Sequence, residues 1–186
     1  NVYVNIHGQS TQGFAKKSHN FDFNADHRLK LRPDLGRVKD LNLLTNWADK
    51  AKMRNTLAWE IYRDAEADHH LAFPVHVRQN GEFFALYEIV EDGDDRMLER
   101  NGRDPEGALY KMYDALADTT RGEKKTRKDE DKSDLQALIT GLQQQGDAKR
   151  LWIYDHVNLA AMANFLAAMF VTASTVVAPA SFCVSE

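Results

Sequence analysis

Asn80-Gly81 sits between two runs, residues 73–78 and 83–91, that are rich in Phe, Val, Tyr and Ile. A two-residue hairpin turn with the twist of its flanking strands needs positive φ at both central positions, and Asn-Gly supplies it. This dipeptide therefore commits the chain to an antiparallel hairpin. A second hairpin is predicted upstream. Val2, Val4 and Ile6 alternate with Tyr3 and Asn5 as in a half-buried strand, and residues 18–23 alternate again, with Phe21 and Phe23 on one face. A polar loop bounded by Gly8 and Gly13 joins them. Elsewhere helical spacing takes over. Met53, Leu57, Ile61 and Ala65 recur as a stripe, predicting a helix from an N-cap at Asp49 to about residue 67. Hairpins alongside separate helices define an α+β chain.

The remaining segments are less regular. Residues 26–39 are charged and broken by Pro33 and Gly36, and residues 41–44 form a short apolar run before Asn46-Trp47. Residues 92–100 read as a charged turn with a short helix, and residues 108–113 as a further strand. The dense mixed charge of residues 118–134 predicts an exposed insertion, followed by an exposed helix over 135–145. Residues 151–172 predict one longer helix whose centre, 159–171, is apolar on nearly every side. Asn158 and Asn164 interrupt it and no basic flank marks it, so a helix buried in a protein core is expected, with no membrane span. Asp155 and His156 read as the N-cap region of that apolar helix.

Composition narrows function. A chain of 186 residues can bury one core or two small lobes. The net charge of −4 argues against a dedicated nucleic-acid binder, but local charge still allows an anionic small ligand. Cys183 is the single cysteine, which excludes an internal disulfide and a cysteine metal cluster. Asp92, Asp94 and Asp95 lack the spacing of a calcium loop, and His69, His70 and His76 read as surface or packed histidines, so no metal site is predicted.

The segment His7-Gly8-Gln9-Ser10-Thr11-Gln12-Gly13-Phe14-Ala15-Lys16-Lys17-Ser18 holds the best candidate for ligand chemistry. Glycines let backbone N–H groups approach an anion, Ser10 and Thr11 add hydroxyls, and a lysine entering the next strand supplies a point charge for phosphates. Lys16 and Lys17 point to opposite faces of a strand, so only one of them faces a cleft. Alone, the pattern favours a plain hairpin turn with two solvated lysines, because Gly/Ser/Thr turns beside lysines are common. Arg54 falls near Ala58, Ile61 and Ala65 on a helical wheel, where an arginine calls for an anionic partner. Glu60 lies at the edge of the same stripe, and Glu91 ends the second hairpin at an expected hinge.

In order and spacing these residues resemble the CotH family, named after a spore coat protein and described as atypical protein kinases. The family's Arg-Gly-Asn-Ser-Ser turn and Phe-Pro-Lys-Lys-Ser segment correspond to His7-Gly8-Gln9-Ser10-Thr11 and Phe14-Ala15-Lys16-Lys17-Ser18. Its Leu-Leu-x-Asn-(Trp/Tyr)-x-Asp run and its helix opening on Arg-Asn correspond to Leu43-Leu44-Thr45-Asn46-Trp47-Ala48-Asp49 and Arg54-Asn55. Asn80-Gly81, Tyr87 with Glu91, and Leu109-Tyr110-Lys111 complete the series, which covers residues 2–175. His7 replaces an arginine and Ala15 a proline. After the apolar helix, where the family places its catalytic and metal-binding aspartates, residues 173–186 contain no aspartate. The expectation is a truncated chain.

The resemblance implies an atypical protein-kinase-like fold. Residues 1–91 would form a small β-rich lobe of two hairpins and one helix. Residues 92–175 would hold a hinge, the charged insertion and the start of a helical lobe, and residues 176–186 an atypical tail. It implies transfer of phosphate from ATP, with Mg²⁺ or Mn²⁺, to Ser or Thr of a coat or surface protein. Ser10, Thr11, Lys16, Lys17, Arg54, Glu60 and Glu91 are the implied nucleotide-site residues. The chain itself is expected to be inactive, with no catalytic residue assigned. The rival readings are a non-catalytic coat, surface or adhesion protein and a nucleotide-binding pseudokinase. The implied setting is a spore coat, a cell surface or the extracellular space.

Overall fold

A computed structural model describes residues 2–8, 10–33, 35–113, 115–172 and 181–184. The chain is a mixed α+β protein that divides into two compact units, Asn1–Glu60 with His70–Asp92, and Ile61–His69 with Gly93–Glu186.

The first unit is built on an antiparallel sheet. Strands β1 (Val2–His7), β2 (Ser18–Phe23), β5 (Asp40–Leu44), β6 (Ala72–Gln79) and β7 (Glu82–Val90) lie in the order β1-β2-β5-β7-β6, with a separate ribbon of β3 (Leu29–Lys30) and β4 (Arg37–Val38). The Asn-Gly hairpin forms as expected: Asn80 and Gly81 have φ of 53° and 87°, and β6 and β7 pair from Ala72↔Val90 to Gln79↔Glu82. The short apolar run 41–44 proves to be the middle strand of the sheet. Leu41 and Leu43 are buried with Tyr87 and Ile89, flanked by Phe21, Phe23, Phe73 and Val75. The irregular stretch 26–39 contains the β3–β4 ribbon, so the region holds more than two hairpins and one helix. β1 departs from expectation. Its Val2, Tyr3, Val4 and Ile6 are exposed, because it is an edge strand and the apolar cluster draws on β2, β5, β6 and β7.

Helix α1 (Arg54–Asp64) starts four residues later than an N-cap at Asp49 predicts. Lys52 has φ of 60°, which stops a helix from running through it. Asp49 still serves the helix end: its Oδ2 accepts the Arg54 N–H at 2.9 Å and its Oδ1 the Ala51 N–H at 3.0 Å. The predicted stripe is also displaced. Met53 and Leu57 are exposed, while Thr56 and Tyr62 are buried.

In the second unit β8 (Ala108–Met112) lies between β9 (Gly122–Lys124) and β10 (Ser181–Val184). Helices α2 (Asp95–Arg100), α3 (Ser133–Gln143), α4 (Gly146–His156) and α5 (Leu159–Val171) accompany them. Asp94 caps α2 by accepting from Arg96 N and Met97 N. The charged segment 118–134 is not simply an exposed insertion, since it contributes β9, with Lys124 and Thr126 buried. Helix α3 is not an exposed helix either: Leu135 and Ile139 pack with Ala108, Tyr110 and Met112. A Cβ on Gly141 would lie 2.0 Å from the Trp152 ring, so α3 and α4 meet closely there.

The predicted 151–172 helix is two helices. Asn158 Oδ1 accepts the Ala161 N–H at 3.0 Å and caps α5, whereas Asp155 and His156 end α4. The expectation that the apolar helix is buried also fails. Ala168 is buried, but Leu159, Leu166, Phe170 and Val171 are exposed. Among the described residues no helix is long and apolar enough to cross a membrane. Of the atypical tail, residues 181–184 pair with β8 as β10, and residues 176–180, 185 and 186 lie outside the described residues.

Candidate functional site

The loop between β1 and β2 turns on Gly8 at φ 89° and a short 3₁₀ turn, Ser10–Gly13. Most of its polar groups are used within the loop. Thr11 Oγ1 donates to His7 O at 3.3 Å, Gln12 Nε2 donates to Gly8 O at 2.6 Å, and Lys17 Nζ donates to Gln12 O. Gly8 is required here, because a Cβ would meet Thr11 Oγ1 at 2.3 Å and the φ is left-handed. The Thr11 hydroxyl and Lys17 ammonium thus hold the loop's shape. The side chain of Ser10 lies outside the described residues.

Lys16 behaves differently from its neighbour. Its Nζ donates to Leu86 O on β7 and stands 4.3 Å from the centroid of the Tyr87 ring, a cation–π contact. These contacts bring the lysine onto the sheet while giving it no carboxylate partner. Burial, and after it the charge of Lys52, hold the Lys16 ammonium below its usual range. Lys52 in turn donates to Asn46 O at 2.6 Å and Trp47 O at 3.2 Å. Trp47 stacks on Phe14, with ring centroids 6.2 Å apart and planes 24° apart. Two connectors, one before β2 and one after β5, therefore each present an aromatic ring and a lysine.

Beside them lies a buried carboxylate. Glu88 on β7 is fully buried, flanked in sequence by the core residues Tyr87 and Ile89, so strand alternation turns it to the opposite face. Glu88 Oε2 accepts from Asn46 Nδ2 and Asn55 Nδ2, both at 2.8 Å, and Oε1 accepts from Thr56 Oγ1 at 2.5 Å. All three partners are neutral donors. They join the β5–α1 connector and the first turn of α1 to the sheet, and they explain why Thr56, not Leu57, faces inward. Thr45, immediately before this connector, is buried, and its Oγ1 has no hydrogen-bond partner.

The other predicted site residues are not brought to Lys16. Arg54 does not lie on a buried stripe: its side chain is 78% exposed and its Nε lies 3.5 Å from Asp49 Oδ1. Burial pushes Asp49 upward, but N–H donation from Arg54 and Ala51 and the Arg54 charge outweigh it and hold the carboxyl below its usual range. Glu60 is exposed and makes no ion pair with Lys16. Glu91 closes the end of the β6–β7 hairpin, its Oε2 accepting the Leu71 N–H at 3.0 Å. Among the described residues no group of three or more His, Cys, Asp or Glu side chains is placed to hold a metal ion.

Sequence reasoning missed Glu88, Thr56 and Lys52, and gave Asn46 and Asn55 no role. One signal was available: a glutamate in the middle of an apolar strand, between Tyr87 and Ile89, demands donors on the opposite face. A family model described as CotH kinase protein matches residues 4–175. No curated protein matches the chain.

Proposed function

The chain belongs to the CotH kinase family, and from that premise we propose that its first unit grips the phosphates of ATP through Lys16, as the small lobe of an atypical kinase-like fold. The activity of such a fold is transfer of phosphate to Ser or Thr hydroxyls of a partner protein, with coat and surface proteins as the acceptor class. The observation that carries the reading is the environment of Lys16. Its ammonium is partly desolvated, seated between Leu86 O and the Tyr87 ring, and makes no ion pair within the described residues. A cation placed this way lacks the anion that would offset its desolvation, and a phosphate oxygen supplies one. Lys17, tied to Gln12 O, is assigned to the loop instead.

Mg²⁺ or Mn²⁺ would neutralise phosphate charge in such a reaction. Among the described residues no group of three or more His, Cys, Asp or Glu side chains is placed to hold such an ion. Calorimetric titration with ATP tests the grip. Lys16→Ala should lose at least about tenfold in affinity, the effect of one charged hydrogen bond, while Lys17→Ala stays near the parent. Parent-like affinity in Lys16→Ala would refute the reading.

A further inference from the structure

We propose that Lys52 is a second phosphate ligand opposite Lys16, and that the exposed face of Trp47 receives the base, so that the two connectors together form a site for a nucleoside polyphosphate. The inference rests on the phosphate-grip reading of Lys16 and extends it to residues outside that segment.

Both connectors carry the same pair of side-chain types. Phe14 and Lys16 precede β2, and Trp47 and Lys52 follow β5. The aromatic members stack on each other, and Trp47 remains 47% exposed. The lysine members lie near enough for the charge of Lys52 to act on Lys16. Each ammonium donates to backbone carbonyls alone, Lys16 to Leu86 O and Lys52 to Asn46 O and Trp47 O. Neither is neutralised by a carboxylate among the described residues, although Glu88 is hydrogen-bonded to the side chain of Asn46 in the same connector. Two like charges held together without an anion repel each other, and a ligand carrying several negative charges removes that repulsion. An aromatic face beside two such cations suits a base joined to phosphates, since stacking accepts any base.

The connector is held in place independently of any ligand. Asn46 sits at φ 43°, a left-handed conformation that Asn tolerates, and Glu88 fixes its side-chain amide. Lys52 itself has φ of 60° and closes back on the carbonyls of Asn46 and Trp47. The Lys52 ammonium is thereby tied to the backbone of its own connector.

The test titrates the full chain with ATP and, separately, with inorganic tripolyphosphate, using tryptophan fluorescence and calorimetry. Lys52→Gln, which keeps a donor for the two carbonyls but removes the charge, should weaken both probes about tenfold, and Lys52→Arg should restore most of the loss. Trp47→Ala should weaken ATP about tenfold and leave tripolyphosphate unchanged. Lys16 Nζ, followed by NMR, should titrate closer to its ordinary range in Lys52→Gln, a shift that a purely structural lysine far from Lys16 would not cause. If Lys52→Gln binds both probes like the parent while Lys16→Ala does not, Lys52 is no ligand and the inference is overturned with the Lys16 grip intact. If Lys16→Ala also binds like the parent, or the parent binds neither probe, both readings fall. If Trp47→Ala weakens both probes equally, the base does not stack there.

Discussion

The two units bury charge in opposite ways. In the first, Glu88 is enclosed by two amides and a hydroxyl, while Lys16 and Lys52 nearby rest on carbonyls and an aromatic ring. In the second, Lys124 is the buried ion, its side chain 6% exposed, and it meets carboxylates directly, 3.2 Å from Asp134 Oδ2 and 3.4 Å from Glu130 Oε2. Tyr110 adds its hydroxyl to Asp134, and Lys124 donates also to Asp131 O at 2.7 Å. The second arrangement is close to electrically complete and ties α3 to β8 and β9. The first leaves positive charge without a counter-ion. A neutralised buried pair is sufficiently explained by architecture, whereas the cations of the first unit, which rest on carbonyls and a ring, are the ones on which the proposed phosphate grip depends.

The strongest way to break this comparison is to remove each buried ion. Glu88→Ala leaves one buried and two half-buried donors, on the β5–α1 connector and α1, without their acceptor and should cost about 3–5 kcal/mol. Hydrogen exchange should show the loss in the first unit, around the β5–α1 connector and the start of α1. In the second unit Lys124→Met alone leaves Asp134 facing an apolar group and should cost a similar about 3 kcal/mol, but adding Asp134→Leu should recover most of it, because an internally matched pair is replaceable by matched apolar groups. If the Lys124/Asp134 double variant stays as unstable as the single one, the pair is not self-contained and the contrast is lost.

A smaller effect tests whether the second unit is as rigidly packed as its ion pairs suggest. Gly141 faces the indole of Trp152, and an added Cβ would lie 2.0 Å from the ring. Gly141→Ala should therefore force α3 and α4 apart and destabilise by about 1–3 kcal/mol despite the better helix propensity of alanine. Urea unfolding followed by near-ultraviolet dichroism of Trp152 measures it. An unchanged or raised midpoint would mean that the indole moves aside freely.

Much of the sheet was legible because turn chemistry and alternation are local. Asn80-Gly81 located β6 and β7, and Phe21 and Phe23 marked the inner face of β2. The α1 stripe was misread because apolar spacing singled out Met53 and Leu57, while the face that is buried answers to Glu88, 32 residues away from Thr56. A hydrogen bond across that separation leaves no periodic trace. Residues 118–134 were misread for a related reason. Mixed charge ordinarily marks a solvated surface, and only the arrival of Asp134 and β8 beside Lys124 makes it interior. At the site, Lys16 was within reach of sequence reasoning, but its separation from Lys17 was not, because it depends on where β7 places Leu86 O and Tyr87.

Acid and alkali provide the finest distinction between the units. Burial raises the Asp134 carboxyl, but the Tyr110 hydroxyl, the Leu135 N–H and Lys124 outweigh it and hold it below the usual carboxylate range. A carboxyl depressed by folding contributes stability above its unfolded value and loses it as the pH falls through the folded one. The second unit should therefore weaken below about pH 4. Lys16 is also depressed, but for an ammonium this means that folding disfavours its charged form. The penalty is present at neutral pH and is relieved as the pH rises through the lowered value towards 10.5, so the first unit should gain slightly in stability across that alkaline window. Affinity for ATP should fall across the same window, since the deprotonated amine no longer attracts phosphate. Unit-resolved hydrogen exchange against pH, with rates corrected for their intrinsic pH dependence, separates the two. Lys16→Met should abolish the alkaline gain of the first unit and leave the acid loss of the second untouched, and an alkaline gain that survives in Lys16→Met would show that another group carries it.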